Sequence, residues 1–173
     1  MKTLEEKKEI LSGLSTEEKK GVVKLAYSEL LDVLVKDPDF TVRTEVAKIG
    51  RAEDLDILVE DKASVVLFEV LKHKRDKDLD VLVKDKEPSV RREVLNRRRK
   101  QDLDYLLTDE SPIVRSKIAR IGRDEDLDVL VKDEDSSVRC EVLLKKRVKD
   151  LKILLEDEDA YIRKEAEKYL KES

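Results

Sequence analysis

The sequence runs to 173 residues, of which 46% are charged and 3% aromatic, with no Trp and a net charge of −4 at neutral pH. That length suits one domain with a continuous core, and the slight acidity gives no overall pull toward nucleic acid. A single Cys excludes an intrachain disulfide, and with no leader-like segment and no apolar run of about 18 residues, a cytoplasmic rather than secreted or membrane-inserted chain is expected.

The chain repeats itself every 24 residues without slippage, the signature of stacked repeats. Residues 1–36 read as a degenerate first repeat. Ser15 and Glu18 form a capping box that opens a helix through Val22, Val23, Leu25 and Ala26. Ser15 falls 24 residues before Asp39, and Ile10 and Leu11 fall on Leu34 and Val35. The arginines of later repeats are gone here, as a polar terminal cap requires.

Residues 37–160 carry the tandem repeats. Each opens on a turn aspartate: Asp37, Asp61, Asp85, Asp109, Asp133, Asp157. Asp39, Ser111, Asp135 and Asp159 then suit an N-cap, whose side chain accepts from free backbone N–H groups. Pro88 and Pro112 stand one residue later, where a missing N–H costs nothing. A helix of about ten residues follows, carrying the Val42, Val66, Val90, Val114, Val138, Ile162 column and the Val46, Val70, Val94, Ile118, Val142, Ala166 column. Gly50 and Gly122 stand where a left-handed cap ends it. Asp54, Asp78, Asp102, Asp126 and Asp150 are expected to cap a second, shorter helix with the body Leu-Asp-Val-Leu-Val-Lys or close to it. At about 100° per residue, the columns starting at Leu31, Val33, Leu34 and Val35 cover about 200° of that helix, which predicts burial on three sides. Residues 161–173 close the chain as a C-terminal capping helix, Tyr161 to Leu170, with Glu167 replacing the apolar residue of the Ala47 column. No sustained strand alternation occurs. The fold class is therefore all-α: one repeat domain, a right-handed α-solenoid of 24-residue two-helix repeats.

One column is not ordinary. Arg43, Arg91, Arg115, Arg139 and Arg163 project between apolar columns, and a half-buried guanidinium without a partner is costly. Asp37, Asp85, Asp109, Asp133 and Asp157 precede them by six residues, so a structural ladder of Asp–Arg pairs is expected, within repeats, between them, or both. Leu67 interrupts it, leaving Asp61 to use another repeat's arginine or the backbone.

Asp in the turn, Val-Arg, then a helix resembles the HEAT-type repeat and its ladder, in the armadillo-like class. The 24-residue length and the Asp…Val-Arg…Leu-Leu order resemble more closely the leucine-rich-repeat-variant family, over Leu30 to Leu170. That family usually has prolines before a short segment that is often a 3₁₀ helix. This sequence has Arg-x-x-Asp-Leu-Asp there, which predicts a short α-helix instead. Some relatives carry a cysteine-ligated iron–sulfur region, and one Cys cannot supply it.

Little else points to chemistry. His73 occupies a column with Ile49, Arg97, Ile121 and Lys145, and reads as an ordinary helix-end residue, because acid–base work needs a positioned partner. Cys140 has no activating base in view. The aspartates recur once per repeat rather than converging on one cation, and no phosphate loop or zinc spacing occurs. No catalytic residue, cofactor or metal is expected. Two surfaces remain. Asp32, Asp56, Asp80, Asp104 and Asp128 form a column along the short helices, partly neutralised by i,i+4 pairs of Asp32 with Lys36, Asp80 with Lys84 and Asp128 with Lys132. Such a groove leans acidic and suits a basic peptide. Lys74, Arg75, Arg97, Arg98, Arg99, Lys100, Lys145, Lys146 and Arg147 line one edge that could follow a phosphate backbone, though cations also favour helix C-termini. The expected function is a non-enzymatic scaffold for a protein or peptide partner; the alternative is a nucleic-acid-binding HEAT-like solenoid using that edge. Abundant Lys, Glu and Asp beside one Asn and one Gln fits a thermophile or a designed repeat protein.

Overall fold

An aspartate whose carboxylate accepts a backbone N–H two residues on starts a helix cleanly, and this chain uses that device repeatedly. The computed structural model describes residues 3–25 and 28–172, and all regular structure among them is helical. Helices α1 (Leu4–Ser12), α2 (Thr16–Lys24) and α3 (Ser28–Leu34) come first. Then long and short helices alternate: α4 (Phe40–Ile49), α5 (Ala52–Leu58), α6 (Ser64–Lys72), α7 (Asp76–Leu82) and α8 (Pro88–Val94), which a 3₁₀ turn extends over Leu95–Arg97. They continue as α9 (Lys100–Leu106), α10 (Pro112–Ile121), α11 (Asp124–Leu130), α12 (Ser136–Leu143), α13 (Val148–Leu154) and α14 (Ala160–Lys171). Ala26, expected in the helix that follows Ser15, lies outside the described residues, as do Met1, Lys2, Tyr27 and Ser173.

The caps follow their chemistry. Ser15 and Glu18 close the expected capping box, and Thr3 with Glu6 forms a second. Asp39, Asp135 and Asp159 accept from Thr41, Ser137 and Tyr161 N–H groups. Ser111 stands at the N-cap of α10 without a side-chain bond, and Pro112 takes the first helical position. The short segments α5, α7, α9, α11 and α13 are α-helical rather than 3₁₀.

The helices group in two compact units, Met1–Val90 and Arg91–Ser173, the division falling inside α8. In the first, α4 packs against α2 and α6, with α5 against both α4 and α6. In the second, α12 packs against α10 and α14, with α11 and α13 against it. The long helices thus meet their counterparts one repeat away, and each short helix fills the seam. The Val42 and Val46 columns of both units lie in the core, as do Leu31, Leu55, Leu79, Leu103, Leu127 and Leu151 and their partners three residues on. Fully burying one such leucine contributes about 1.5–3 kcal/mol before entropy is counted.

Gly50 and Gly122 end α4 and α10 in the left-handed region, at φ 80° and 79°. The other repeats place Lys74, Arg98 and Lys146 there, at φ 62°, 53° and 56°, at a cost of about 1–2 kcal/mol each. The two glycines mark close approaches. A Cβ on Gly50 would lie 2.4 Å from the His73 ring, and one on Gly122 would lie 2.9 Å from the Lys145 side chain. Those side chains reach the preceding repeat's helix end: His73 Nε2 donates to the Ala47 carbonyl at 2.6 Å, and Lys145 Nζ donates to the Arg120 carbonyl.

Candidate functional site

The charged columns form two sets of ion pairs, and together they decide which surfaces remain for a partner. In the first set the arginine Nε and one terminal nitrogen bond bidentately to the turn aspartate of the following repeat. Arg43 pairs with Asp61, Arg91 with Asp109, Arg115 with Asp133 and Arg139 with Asp157, at 2.6–2.9 Å. The other nitrogen donates to carbonyls of the arginine's own turn, as Arg115 does to Asp109 and Glu110. The carboxylate also accepts from the backbone N–H two residues on, Asp133 from Asp135. Each rung therefore ties one turn to the next. Arg91, Arg115 and Arg139 side chains keep only 6–8% of their surface exposed. Arg163 is exposed and donates to the Asp157 and Glu158 carbonyls. Asp61, expected to be affected by the interruption at Leu67, accepts from Arg43 and the Ala63 N–H as the other rungs do, because the arginine that Leu67 replaces is the one that would face Asp85. Lys19, 24 residues before Arg43, bonds Asp37 at 3.0 Å and stands in for the missing arginine of the cap.

Bonds to Asp61, Asp133 and Asp157 raise the Arg43, Arg115 and Arg139 guanidinium groups above their ordinary value. Burial pushes the Asp157 carboxyl up, but the Arg139 guanidinium and the Asp159 N–H outweigh it and leave it below the ordinary value.

The second set corrects an expectation. Asp54, Asp78, Asp102, Asp126 and Asp150 do not cap the short helices. They lie inside the first turn, only 1–2% exposed. The cap position belongs to Arg51, Arg75, Arg99, Arg123 and Arg147, none of which makes a side-chain cap bond. Each arginine folds back on the aspartate three residues later with two bonds of 2.6–2.8 Å. A buried carboxylate at the positive end of a helix, held by a bidentate guanidinium, is satisfied without capping. The bonds to Asp54, Asp126 and Asp150 raise the Arg51, Arg123 and Arg147 groups above their ordinary value. Among the described residues, no buried side-chain nitrogen or oxygen lacks a hydrogen-bond partner.

Those arginines also reach the acidic column of the preceding repeat. Arg51 bonds Asp32 at 2.9 Å, Arg75 bonds Asp56 at 2.8 Å, Arg123 bonds Asp104 at 2.8 Å and Arg147 bonds Asp128 at 2.7 Å. Lys77, Lys100 and Lys149 add second cations to Asp56, Asp104 and Asp128. The pairs expected for Asp32 with Lys36 and Asp128 with Lys132 are thereby replaced, and Asp56 and Asp104, which have Glu60 and Thr108 rather than a lysine four residues on, have two cations each. Bonds from Lys77, Lys100 and Lys149 contribute most in holding these three carboxyls below their ordinary value. Asp80 is exposed like the rest of its column. A row answered by cations this closely does not make an acidic groove.

The same helices expose what the sequence reading buried. Beyond the half-buried Val33, its column does not face the core: Ile57 and Val81 of the first unit are 44% and 45% exposed, and Tyr105, Val129 and Ile153 of the second are 56%, 52% and 42% exposed. Each short helix is buried on two sides, and its outward face presents one apolar residue amid ion pairs.

The basic edge is largely occupied. Arg75, Arg99 and Arg147 are held by buried aspartates, and Lys100 bonds Asp104. Lys145 caps α10, and Lys146 lies over the Tyr169 ring at 4.0 Å. Lys74, Arg97 and Arg98 are exposed. Cys140 is half-buried, and burial, with Glu141 and Asp159 adding to it, pushes its thiol up. Among the described residues no three His, Cys, Asp or Glu side chains converge as a metal site, and no helix is long and apolar enough to cross a membrane.

No protein-family model matches this sequence, and no curated protein matches it. Among solved structures it is similar to the crystal structure of an engineered protein, at 20% identity and a TM-score of 0.32, over 96% of this chain and 86% of that one.

Proposed function

We propose that this chain is a non-enzymatic scaffold that holds a protein or peptide partner in the cytoplasm, an α-solenoid of leucine-rich-repeat-variant or HEAT-like kind. The observation that carries the reading is the apolar residue on the outward face of every short helix from α5 to α13, each 42–56% exposed on a surface otherwise built of neutralised ion pairs. Within the second unit, Tyr105, Val129 and Ile153 repeat on three successive short helices, at the inter-repeat distance of about 8–10 Å usual for packed helices. A regular row of exposed apolar residues among paired charges offers an extended partner one apolar anchor per repeat. The absence of an enzymatic role draws support from His73, spent on a helix end, and from Cys140, whose thiol is pushed away from thiolate. The nucleic-acid alternative has less support, because the buried Asp78, Asp102 and Asp150 hold Arg75, Arg99 and Arg147 away from phosphate.

The test is capture on the immobilised chain, wild type against a triple Tyr105→Asp, Val129→Asp, Ile153→Asp variant. The captured partner should be lost with the variant, retained after nuclease treatment, and the helical melting curve should stay where it was. A partner retained by the triple variant, or released by nuclease, contradicts this reading.

A further inference from the structure

A repeat protein reveals special positions where one repeat departs from the others. From Glu45 on, the column Glu45, Glu69, Glu93, Glu141 and Glu165 is glutamate except at Lys117. The glutamates pair three residues along their own helices: Glu45 with Lys48, Glu69 with Lys72 and Glu165 with Lys168, while Glu93 accepts from Asn96. Lys117 instead faces Arg120 at that spacing, a like-charge arrangement that is mildly unfavourable on a helix. Arg120 must reach across to Glu141 of the next repeat.

The inversion falls in a groove formed by α8, α10 and α12 within the second unit, with Arg92, Lys117 and Arg120 as its cations and Glu93 and Glu141 as its anions. Both anions already have donors, Asn96 and Arg120. Arg92 is exposed and Lys117 half-buried, and neither meets an acidic group among the described residues within ion-pair distance. Ile113, 56% exposed, supplies an apolar patch in the same groove.

We propose that this groove docks an acidic segment of a protein partner, one carboxylate side chain lodging between Arg92 and Lys117 and a neighbouring apolar side chain resting on Ile113. Charge complementarity selects the occupant: two unanswered cations call for carboxylate. Glu93 and Glu141 disfavour a continuous phosphate backbone, which would run against both. The inference extends the scaffold reading to a second face and uses none of the short-helix residues.

Labelled glutamate–leucine and lysine–leucine peptides and a labelled DNA duplex are titrated onto the full chain at low salt. The acidic peptide should bind and the basic one should not. Lys117→Glu should weaken the acidic peptide at least about tenfold, equivalent to about 1.4 kcal/mol, without lowering the melting temperature, because it restores the glutamate of the other tandem repeats and gives Arg120 a second partner beside Glu141. Lys48→Glu, the same charge change in the first unit, should leave binding unchanged. No binding of the acidic peptide, an unchanged affinity with Lys117→Glu, an equal loss with Lys48→Glu, or tighter binding of the duplex would overturn the inference. Such a failure leaves the short-helix capture untouched, so the two readings fail separately.

Discussion

Replacing Arg115 by leucine is expected to destabilise the chain by about 3–5 kcal/mol, the cost of breaking a buried pair and stranding its partner. Arg115 is almost wholly buried and makes five bonds, two to the Asp133 carboxylate, two to turn carbonyls and one to the exposed Glu134 carboxylate. Leucine fills the space, as Leu67 does in its own repeat, but leaves those acceptors without their donor. Arg163→Leu, at an exposed arginine that donates only to carbonyls, should cost under about 1 kcal/mol. The urea midpoints of the two variants make the comparison; equal small shifts would mean that burial adds nothing to the rung.

The second large effect is expected at Asp126. As an ordinary N-cap its loss to alanine would cost about 1 kcal/mol. As the 1% exposed partner of Arg123, its removal leaves a guanidinium whose remaining carboxylates are the half-exposed Asp104 at 2.8 Å and the exposed Glu125 at 3.7 Å. The expected cost of Asp126→Ala is about 3 kcal/mol, the low end for a broken buried pair, because Asp104 keeps some compensation. Chemical denaturation decides between the values, and Asp126→Asn, which keeps the shape and loses the charge, should recover only part of the loss.

The arrangement of α4 to α14 was legible in the sequence because several local signals agree at each repeat: a turn aspartate, valines at positions 42 and 46 of the register, a left-handed cap at Gly50 or Gly122, and paired leucines. The ladder was legible too, since Arg43 and its equivalents project between apolar columns. Its direction was not: a spacing of six residues to Asp37 and of eighteen to Asp61 both fit, and only packing places Asp61 in reach. Arg51 and Asp54 were misread because an aspartate before an apolar run looks like a cap. The signal that distinguishes the cases is the arginine three residues earlier in every repeat, which ranks the pair above either residue alone. The Val33 column was misread because an angular map counts apolar residues as buried, whereas Ile57, Val129 and Tyr105 face outward between neighbouring arginines and aspartates. The Lys117 inversion stood in the sequence, but the groove that gives it meaning appears only when α8, α10 and α12 are assembled.

The central claim is that buried charged columns fasten successive repeats within each unit, interrupted at Leu67, and leave the exposed apolar residues of the short helices and the one inverted position for partners. A double-mutant cycle between Arg115 and Asp133 tests it most directly, using Arg115→Leu, Asp133→Asn and the combination, with unfolding free energies from urea titrations. The two residues are eighteen apart in sequence and bonded at 2.7 and 2.8 Å. The account predicts a coupling energy of at least about 2 kcal/mol, within the range of directly interacting pairs. Additivity within about 0.5 kcal/mol, the behaviour of independent sites, would contradict it.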